Sequence, residues 1–537
     1  MSLDSLLNLF NRFFTLCGIG FSLLLSRTTT YDGRTMRLTG PRRLRLFLEQ
    51  SGGAFLKLGQ ILALRTDVLA PRYTSELMRL LSHVPKESFG SMEAVFIEEF
   101  GESPETYFAE FSSQPIAAAS IGQVYKAKMV TGETVAVKIQ RPGIREQFEN
   151  DFSVARFGAD VLSLLRIAPS IDWHEVVEEF VAWTRRELDF TIEAKSAQTI
   201  ARYSSMRPLT HIPHYYTEIS TRRVLISEFV DALLLVENVI DAIRRDPAES
   251  DRLREEDGVD VNVMAEYFVT DMIRQFFIDG FFHADPHPAN IYLLSGNRLG
   301  YLDFGIIGEA GKERVTMLQM LHAISERDMY VVAKSLFSFA RFAFAEDLKV
   351  IDRLESQGNK DKIQKALSKI EEIMVDNMVE SLHDIFDPWY SAMEAGRNAA
   401  AGRKVVTQYS ASRAFSRLVK TSRGYSLYFP REVALFFRTI SIIDMVALQL
   451  SSSFNFLQAL EQFFKEFPLA TAERLIEEGT YKEEIGEHID IQNLSYEEMM
   501  EVKVMEREQL TLARERLADL VAHYAERYDE VRTILKS

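Results

Sequence analysis

Three residues near the middle of the chain have the functional groups and the spacing that phosphoryl transfer from a nucleoside triphosphate requires. Asp285 lies in the run HADPHPAN at 283–290, Asn290 follows five residues later, and Asp303 opens the tripeptide DFG. In this chemistry one carboxylate contacts the acceptor hydroxyl, while an amide oxygen and a second carboxylate hold Mg²⁺ against the phosphates. Oxygen ligands of this kind suit Mg²⁺. We therefore predict Asp285 as the catalytic carboxylate and Asn290 and Asp303 as metal ligands.

A zinc site is the alternative interpretation of the same loop, because His283, Asp285 and His287 lie close together in sequence. Histidines four residues apart share a face only on a helix, and Pro286 and Pro288 disfavour a helix here. No further ligand accompanies them locally. A structural role for the histidines, in packing or hydrogen-bonding the loop, is the better expectation.

The elements upstream of this loop have the pattern of a small sheet that carries a phosphate-binding lysine. Residues 124–130 and 133–139 read as two strands joined by Thr131-Gly132, and residues 223–230 read as a third strand. Lys138 ends the apolar run VAVK at 135–138, where protein kinases place their phosphate-contacting lysine. We predict Glu193 as its helical partner, with Glu187 and Asp189 as competitors. Three inward carboxylates would need cations to offset their repulsion; a solvated acidic helix face is the simpler alternative.

An alanine-rich stretch occupies the position where a kinase has its glycine-rich phosphate loop. The candidate nucleotide contacts of this region are Ala117, Ala118, Ala119, Ser120, Val124 and, in the third predicted strand, Glu228. Glycine allows positive φ and close approach to phosphates, whereas the Cβ of alanine restricts both. The three alanines therefore predict a stiffer and more helical cover. An ordinary alanine-rich turn with no effect on nucleotide is the alternative.

Composition restricts the class of protein and the compartment. The chain has 537 residues, 47% of them hydrophobic, and a formal net charge of −16, which argues against general nucleic-acid binding. Its one cysteine, Cys17, cannot form an internal disulfide, so a reducing, intracellular compartment is expected. No secretory signal is convincing. The expected location is intracellular, on the cytoplasmic face of a membrane if the protein is bacterial.

The N-terminal segment is basic and apolar. Residues 1–45 contain seven arginines but only two aspartates, and residues 13–26 carry no charge. That uncharged run is shorter than the roughly 17–25 residues of a membrane-spanning helix. Peripheral contact with an anionic membrane surface is one expectation. An amphipathic helix packed on the body of the protein is the other.

Together these motifs resemble the UbiB (AarF-type) family of atypical kinase-like proteins over about residues 40–450. The marks that distinguish the family are KLGQ at 57–60 and the alanine-rich loop, and both occur here in the expected order. The resemblance implies that Lys57 and Gln60 meet Glu187 and Asp189 and block protein substrates. It also implies ATP and Mg²⁺ as cofactors and a link to isoprenoid-quinone metabolism at membranes. The family usually reads Pro-Gly-Asn where this chain has Ala289, which would strain the loop only at positive φ.

The predicted fold class is α+β: a protein-kinase-like two-lobed fold with a small β-rich N-lobe and a helical C-lobe. The expected domains are an N-terminal segment (1–39), a helical extension (40–110), the N-lobe (111–230), the C-lobe (231–450) and a charged helical tail (451–537). The tail carries an apolar stripe at 510–535 through which the protein could self-associate.

Three functions are compatible with these features. The leading one is an ATPase or atypical kinase that supports quinone or other lipid metabolism, with quinone-biosynthesis proteins or isoprenoid lipid intermediates as partners. The second is a nucleotide-gated scaffold or lipid-binding pseudokinase with little turnover. The third is a small-molecule or lipid kinase.

Overall fold

A computed structural model of the chain describes most of its residues. The described ranges are 3–26, 28–31, 34–63, 71–77, 80, 87–118, 120–164, 173–231, 233–311, 313–339, 360–397, 410–424, 427, 429, 431–478, 529 and 533. Ala119 and the apolar stripe predicted in the C-terminal tail lie outside them, apart from the isolated residues Asp529 and Thr533.

Helices make up most of the described residues. They are α1 (Leu3–Leu25), α2 (Gly40–Ser51), α3 (Gly53–Ala63), α4 (Pro71–Leu77), α5 (Phe89–Phe100), α6 (Pro104–Tyr107), α7 (Ile144–Leu164), α8 (Trp173–Glu187), α9 (Phe190–Ser204), α10 (Val236–Arg245), α11 (Glu249–Glu256), α12 (Val261–Arg274), α13 (Arg314–Ser325), α14 (329–339), α15 (Lys360–Arg397), α16 (Ala411–Gly424), α17 (Arg431–Leu450), α18 (Phe456–Glu466) and α19 (Leu469–Glu478).

The strands are short by comparison and are concentrated before residue 310. They are β1 (Thr28–Tyr31), β2 (Arg34–Arg37), β3 (Phe108–Ala118), β4 (Gly122–Met129), β5 (Thr134–Gln140), β6 (Thr210–His211), β7 (Val224–Glu228), β8 (Leu234–Leu235), β9 (Phe281–His283), β10 (Ile291–Leu294), β11 (Arg298–Tyr301) and β12 (Ile307–Glu309).

The chain divides into two compact units. The first comprises residues 1–202, 212–231 and 303–306, and the second comprises 203–211, 232–302 and 307–537. A β-rich N-terminal part and a helical C-terminal part are the kinase-like α+β fold that the sequence predicted.

The first unit is built on an antiparallel sheet with strand order β3-β4-β5-β7. The predicted hairpin is confirmed: β4 pairs with β5, and Gly132 adopts a φ of 104° in the turn between them. Period-2 alternation turns Val135, Val137 and Ile139 to one face, where α5 covers them in a fully buried cluster. Lys138 therefore points to the opposite face of the sheet.

Helix α1 of the N-terminal segment and the helical extension pack together within the first unit, on α7 and α8. Leu16 of α1 and Leu48 of α2 lie in one buried cluster with Phe55 of α3. Arg12 donates to Asp151 of α7 at 2.5 Å and to the Ser51 carbonyl at 2.7 Å. Packing on the body of the protein, one of the two expectations for this segment, is thus present.

The second unit is mainly helical and carries two small sheets, with orders β6-β11-β10-β8 and β12-β9. Its helices α12, α16, α17 and α18 pack together, and Phe276, just after α12, packs against Phe436 of α17 at a ring-centroid distance of 4.9 Å. Of the helices in the described ranges, none combines the length and the apolar character of a membrane-spanning segment.

Candidate nucleotide site

The predicted site residues fall into two groups, one in each unit. Lys57, Lys138, Glu187, Glu193 and Asp303 belong to the first unit. Asp285 and Asn290 belong to the second.

Lys138 and Glu193 form the predicted ion pair. Lys138 Nζ donates to Glu193 Oε2 at 2.8 Å, and both side chains are largely buried, at 14% and 7% exposure. The ammonium group also lies 4.9 Å from the centroid of the Phe190 ring. The lysine lies on the face of β5 opposite the buried cluster, and the glutamate lies in the first turn of α9. Glu193, rather than Glu187 or Asp189, is the partner of this lysine.

The charges around Lys138 are unbalanced in favour of carboxylates. Burial alone lowers the pKa of Lys138, but the neighbouring Asp303 and Glu193 more than offset this effect, so that its pKa is raised. Burial raises the pKa of Glu193 to about 7; Lys138 opposes this shift, while the negative charges of Asp303 and Glu187 add to it. Lys138 therefore stays cationic among three carboxylates, an arrangement that favours a further cation.

Asp303 lies in a turn of the first unit that presents its carboxylate to solvent. Its φ of 56° is left-handed, a conformation that aspartate tolerates better than most side chains. Gly305 N donates to Asp303 Oδ1 at 3.2 Å, and the buried ring of Phe304 packs edge-on against Tyr215. The turn thus holds an exposed carboxylate on a fixed backbone.

Lys57 of α3 pairs with Glu187 at the end of α8. Lys57 Nζ lies 2.7 Å from Glu187 Oε1, and the two side chains are 17% and 8% exposed. A Cβ on Gly305 would lie 3.7 Å from Glu187 Cγ, so this pair adjoins the Asp303 turn. The expected contact between the helical extension and Glu187 is present. Gln60 lies on the same helix, but its side chain is not among those the structure describes.

Asp189 has other partners among the described residues; the contact with Gln60 that the family resemblance allows involves a side chain outside them and stays a prediction. Its carboxylate accepts from the Thr191 hydroxyl at 2.6 Å and pairs with Arg222 at 3.3 Å. Asp189 immediately precedes α9 and accepts from the Thr191 amide at 3.1 Å, so its side chain caps the start of α9. Glu187, Asp189 and Glu193 therefore each have a different cationic partner, and this is how the mutual repulsion expected among them is reduced.

Ala117 and Ala118 lie in a strand where a helical cover was predicted, and for these two residues that prediction was wrong. Ala117 pairs with Val124 and Ala118 with Gln123 in the β3–β4 ladder. Cross-strand pairing satisfies the backbone of β3, and register shifts around Pro115 bend it. Ala117, Val124 and Lys138 are successive partners across β3, β4 and β5, and directly paired residues share a face.

The remaining predicted contacts flank this row. Ser120 is half-buried in the bend between β3 and β4. Glu228 ends β7, where its amide donates to the His214 carbonyl at 2.7 Å and its carboxylate accepts from the His214 amide at 3.0 Å.

In the second unit, Asp285 and Asn290 are joined by direct hydrogen bonds. Asn290 Nδ2 donates to the Asp285 carbonyl at 3.1 Å and to its Oδ2 at 3.4 Å. Asn290 ends a 3₁₀ turn, Pro288–Asn290, in which Ala289 does not have positive φ. Alanine in place of the usual glycine therefore introduces no backbone strain here.

The two histidines of the loop stabilise it rather than form a zinc site. His283 Nδ1 accepts from the Asp285 amide at 3.2 Å, and His283 Nε2 lies 3.0 Å from the Leu302 carbonyl. His287 Nδ1 accepts from the Ala289 amide at 3.3 Å. Both ring nitrogens of His283 are thus engaged. Within the described ranges, no three His, Cys, Asp or Glu side chains group as metal ligands.

Sequence reasoning missed a buried polar network behind the loop. Arg207, at 4% exposure, donates to Asp271 at 3.0 Å and also binds Asp279; Asp271 in turn accepts from Gln275 and Tyr301. The available signal was the spacing of Asp271, Gln275 and Asp279 at intervals of four residues, which places them on one face of a helix.

The donor groups present fit Mg²⁺. Asp303 offers an exposed carboxylate, and the amide nitrogen of Asn290 is directed to Asp285. Among described residues the Asn290 amide oxygen makes no hydrogen bond, so a hard oxygen donor of the kind that Mg²⁺ prefers is available from each residue.

Comparisons with known proteins agree on the type of domain. Residues 79–336 match a family model described as the ABC1 atypical kinase-like domain. An uncharacterized protein of Synechocystis is 32% identical over 294 residues, which are 54% of this chain and 70% of that protein. The chloroplastic protein ACTIVITY OF BC1 COMPLEX KINASE 1 of Arabidopsis thaliana is 33% identical over 310 residues, 56% of this chain and 43% of that protein.

One solved structure is also similar. The complex of Rv3197 with erythromycin from Mycobacterium tuberculosis aligns with a TM-score of 0.48 at 20% identity, covering 79% of this chain and 94% of that one.

Proposed function

Because the chain belongs to the ABC1 atypical kinase-like family, we propose that it is a Mg²⁺- and ATP-dependent ATPase or atypical kinase. Its role would be to support isoprenoid-quinone or other lipid metabolism at a membrane. The proposed partners are quinone-biosynthesis proteins or isoprenoid lipid intermediates.

The observation that carries this proposal is the cluster of Lys138, Glu193 and Asp303 in the first unit. A buried lysine held at 2.8 Å by a helical glutamate is oriented to contact nucleotide phosphates. Its positive charge is maintained by the surrounding carboxylates. Asp303 adds an exposed carboxylate on a fixed turn. A solvated acidic helix face would explain none of this burial.

Each proposed role follows from the chemistry of the side chain. Lys138 neutralises phosphate charge, and Asp285 orients the attacking water or an acceptor hydroxyl. Asn290 and Asp303 would hold Mg²⁺, which supplies charge neutralisation on the phosphates when bound. The row formed by Ala117, Val124 and Lys138 would contact the nucleotide, with Ala118, Ala119, Ser120 and Glu228 flanking it.

The Lys57–Glu187 pair supports hydrolysis rather than protein phosphorylation as the output. The pair is mostly buried and adjoins the Asp303 turn through Gly305. The Asp303 carboxylate is open to solvent, so water can reach it. We propose that α3, held beside the turn by this pair, leaves too little room for a protein substrate. Lys57, Gln60 and Glu187 are therefore proposed as regulatory residues; Asp189 would act only by capping α9.

Membrane contact is proposed through the outer face of α1. Phe14, Phe21, Leu24 and Leu25 are 65–73% exposed, while Leu16 and Leu23 of the same helix are buried. Two arginines of this region are engaged within the protein: Arg12 binds Asp151, and Arg43 donates to the carbonyls of Leu23 and Ser26. Apolar insertion at the membrane interface, more than attraction to anionic lipid, is thus the proposed mode.

A nucleotide-gated scaffold with little turnover is the second candidate. The observation that favours it is the strand conformation of Ala117 and Ala118, since cross-strand hydrogen bonds and Cβ atoms limit approach to phosphates. A small-molecule or lipid kinase is the third.

One set of assays separates these candidates. Purified protein is supplied with Mg²⁺ and ATP, with and without liposomes, and both phosphate release and labelled lipid products are measured. Steady phosphate release without an acceptor supports the ATPase, whereas release only with a lipid hydroxyl supports the lipid kinase. Tight ATP binding with no phosphate release in any condition would contradict the leading proposal and support the scaffold.

A further inference from the structure

A chain of buried hydrogen bonds runs from α12 to the backbone of Asp285, entirely within the second unit. Gln275 Nε2 donates to Asp271 Oδ2 at 2.8 Å, and Gln275 Oε1 accepts from the His283 amide at 3.1 Å. His283 Nδ1 then accepts from the Asp285 amide at 3.2 Å. Gln275 and His283 have no exposed surface, and Asp271 is 3% exposed.

The far end of this chain is anchored by charge. Asp271 Oδ1 accepts from Arg207 at 3.0 Å and from Thr210 at 3.1 Å, while Tyr301 donates to Oδ2 at 2.7 Å. Arg207 also binds Asp279. A buried carboxylate with this many donors is fixed in position, and it fixes the orientation of the Gln275 amide.

Local backbone geometry directs the side chain of Gln275 toward the loop that carries Asp285. Helix α12 ends at Arg274, and a π-helical turn, Gln275–Asp279, follows it directly. Gly280 ends this turn and has a φ of 76°. This left-handed φ favours glycine at the reversal, because side chains with a Cβ rarely adopt it. The reversal brings the His283 amide back to the Gln275 side chain. π-turns of this kind often occur at functional sites.

We propose that Gln275 is a positioning residue that sets the backbone of Asp285 through His283. One N–H of the Gln275 amide donates to Asp271, and its oxygen accepts from the His283 amide. Gln275 therefore couples the position of the loop to that of Asp271. The His283 ring in turn accepts from the Asp285 amide at Nδ1 and hydrogen-bonds the Leu302 carbonyl at Nε2, so its position fixes the backbone at both residues. This inference rests on the proposed function, in which Asp285 orients the attacking water or acceptor.

The test compares two variants of the full-length protein. Gln275→Leu keeps the volume of the side chain but removes the acceptor for the His283 amide. Tyr301→Phe is the matched control, because it removes another buried hydrogen bond to the same Asp271 Oδ2 without touching the His283 amide. Both are assayed for kcat and KM with Mg²⁺ and ATP, and for amide hydrogen exchange of residues 281–290.

We expect Gln275→Leu to lower kcat by about 10- to 100-fold with the KM for ATP unchanged, since small errors in position cost rate rather than binding. The exchange rate of the 281–290 segment should rise about tenfold. Tyr301→Phe should keep kcat within about twofold and leave the loop protected. A Gln275→Leu protein with full kcat, or an equal loss in Tyr301→Phe, would overturn the assignment.

Failure of the proposed function gives a different result. If the unmodified protein releases no phosphate, the ATPase proposal fails, and hydrogen exchange alone decides the positioning role. Faster exchange in Gln275→Leu but not in Tyr301→Phe would still support it. Equal exchange in the two variants would refute it.

Discussion

Lys57 and Glu187, 130 residues apart in sequence, are joined by a 2.7 Å ion pair that ties α3 to the end of α8. Glu187 also contributes to the electrostatics of Lys138 and Glu193, and its Cγ adjoins Gly305 beside Asp303. The helical extension is thus connected, through one buried carboxylate, to the residues proposed to bind Mg²⁺ and phosphate. We regard this pair as the feature that restricts access to the site.

Replacing Lys57 by alanine should loosen α3 and admit protein substrates. Loss of one partner leaves Glu187 buried without its cation, a change that costs about 3–5 kcal/mol for a fully buried pair and less here. We expect a lower melting temperature and the appearance of phosphate transfer to an added basic protein, measured with labelled ATP. Lys57→Arg, which keeps the charge, is the control. An alanine variant with unchanged melting and no transfer would contradict the role assigned to the pair.

Replacing Lys138 by alanine should abolish ATP hydrolysis. The variant removes the positive charge proposed to neutralise the phosphates and leaves Glu193 and Asp303 without it, so we expect a loss of at least about 100-fold in kcat/KM. Lys126→Ala is the matched control, since Lys126 lies on the adjacent strand of the same sheet but is exposed. Turnover of Lys138→Ala at the rate of the unmodified protein would remove this lysine from the mechanism.

Local signals were sufficient to predict the β4–β5 hairpin, while the order of kinase-type motifs predicted the fold class and the Lys138–Glu193 pair. Strand alternation and the Thr131-Gly132 turn act over a few residues, and the position of Lys138 follows from that alternation. The resemblance to the UbiB family was likewise confirmed, since the chain matches the ABC1 atypical kinase-like domain.

Features that depend on distant partners and belong to no recognised motif were not predictable. Ala117 and Ala118 favour a helix by composition, but pairing with β4 makes them a strand. The ion pair between Asp189 and Arg222 was likewise not predicted. The Arg207–Asp271–Asp279 network joins residues 64 and 72 positions apart, and nothing in the local pattern around Arg207 indicates its burial.

A buried carboxylate in the second unit should make stability depend on pH. Asp444 of α17 is 1% exposed and accepts from the Ser412 amide at the start of α16 at 2.8 Å. Burial raises its pKa to about 7, an effect that the Ser412 hydrogen bond opposes. The folded state therefore binds this proton more tightly than the unfolded chain, whose pKa is 3.8. The contribution of the protonated carboxyl group to folding stability is fully present below about pH 3.8 and is lost as pH rises through about 7.

Asp444→Asn should therefore remove part of that pH dependence. The isosteric amide keeps an acceptor for Ser412 but cannot ionise. Relative to the unmodified protein, the variant should gain stability between pH 5 and pH 8, by at most about 4 kcal/mol, as measured by thermal unfolding across that range. Parallel curves for the two proteins would show that Asp444 does not titrate in this window.

The outer face of α1 should determine membrane binding. Phe21→Ser combined with Leu24→Ser removes two of its most exposed apolar side chains and leaves the buried Leu16 and Leu23 in place. We expect the double variant to lose most of its co-flotation with liposomes, because the affinity of an interfacial helix scales with its buried apolar area. Binding of the unmodified protein should change little with salt, since Arg12 and Arg43 are engaged internally. Strong salt dependence with no effect of the substitutions would point to electrostatic attachment instead.

Mg²⁺-dependent ATP hydrolysis by Asp303→Asn is the most direct test of the central claim. Asparagine keeps the size of the side chain and tolerates the left-handed backbone at this position, but removes the charge proposed to hold Mg²⁺. We predict that the unmodified protein releases phosphate only with Mg²⁺ and that Asp303→Asn loses this release while remaining folded. Equal turnover by the two proteins, or no turnover by the unmodified protein with Mg²⁺ and liposomes present, would contradict the assignment of this chain as an ATPase.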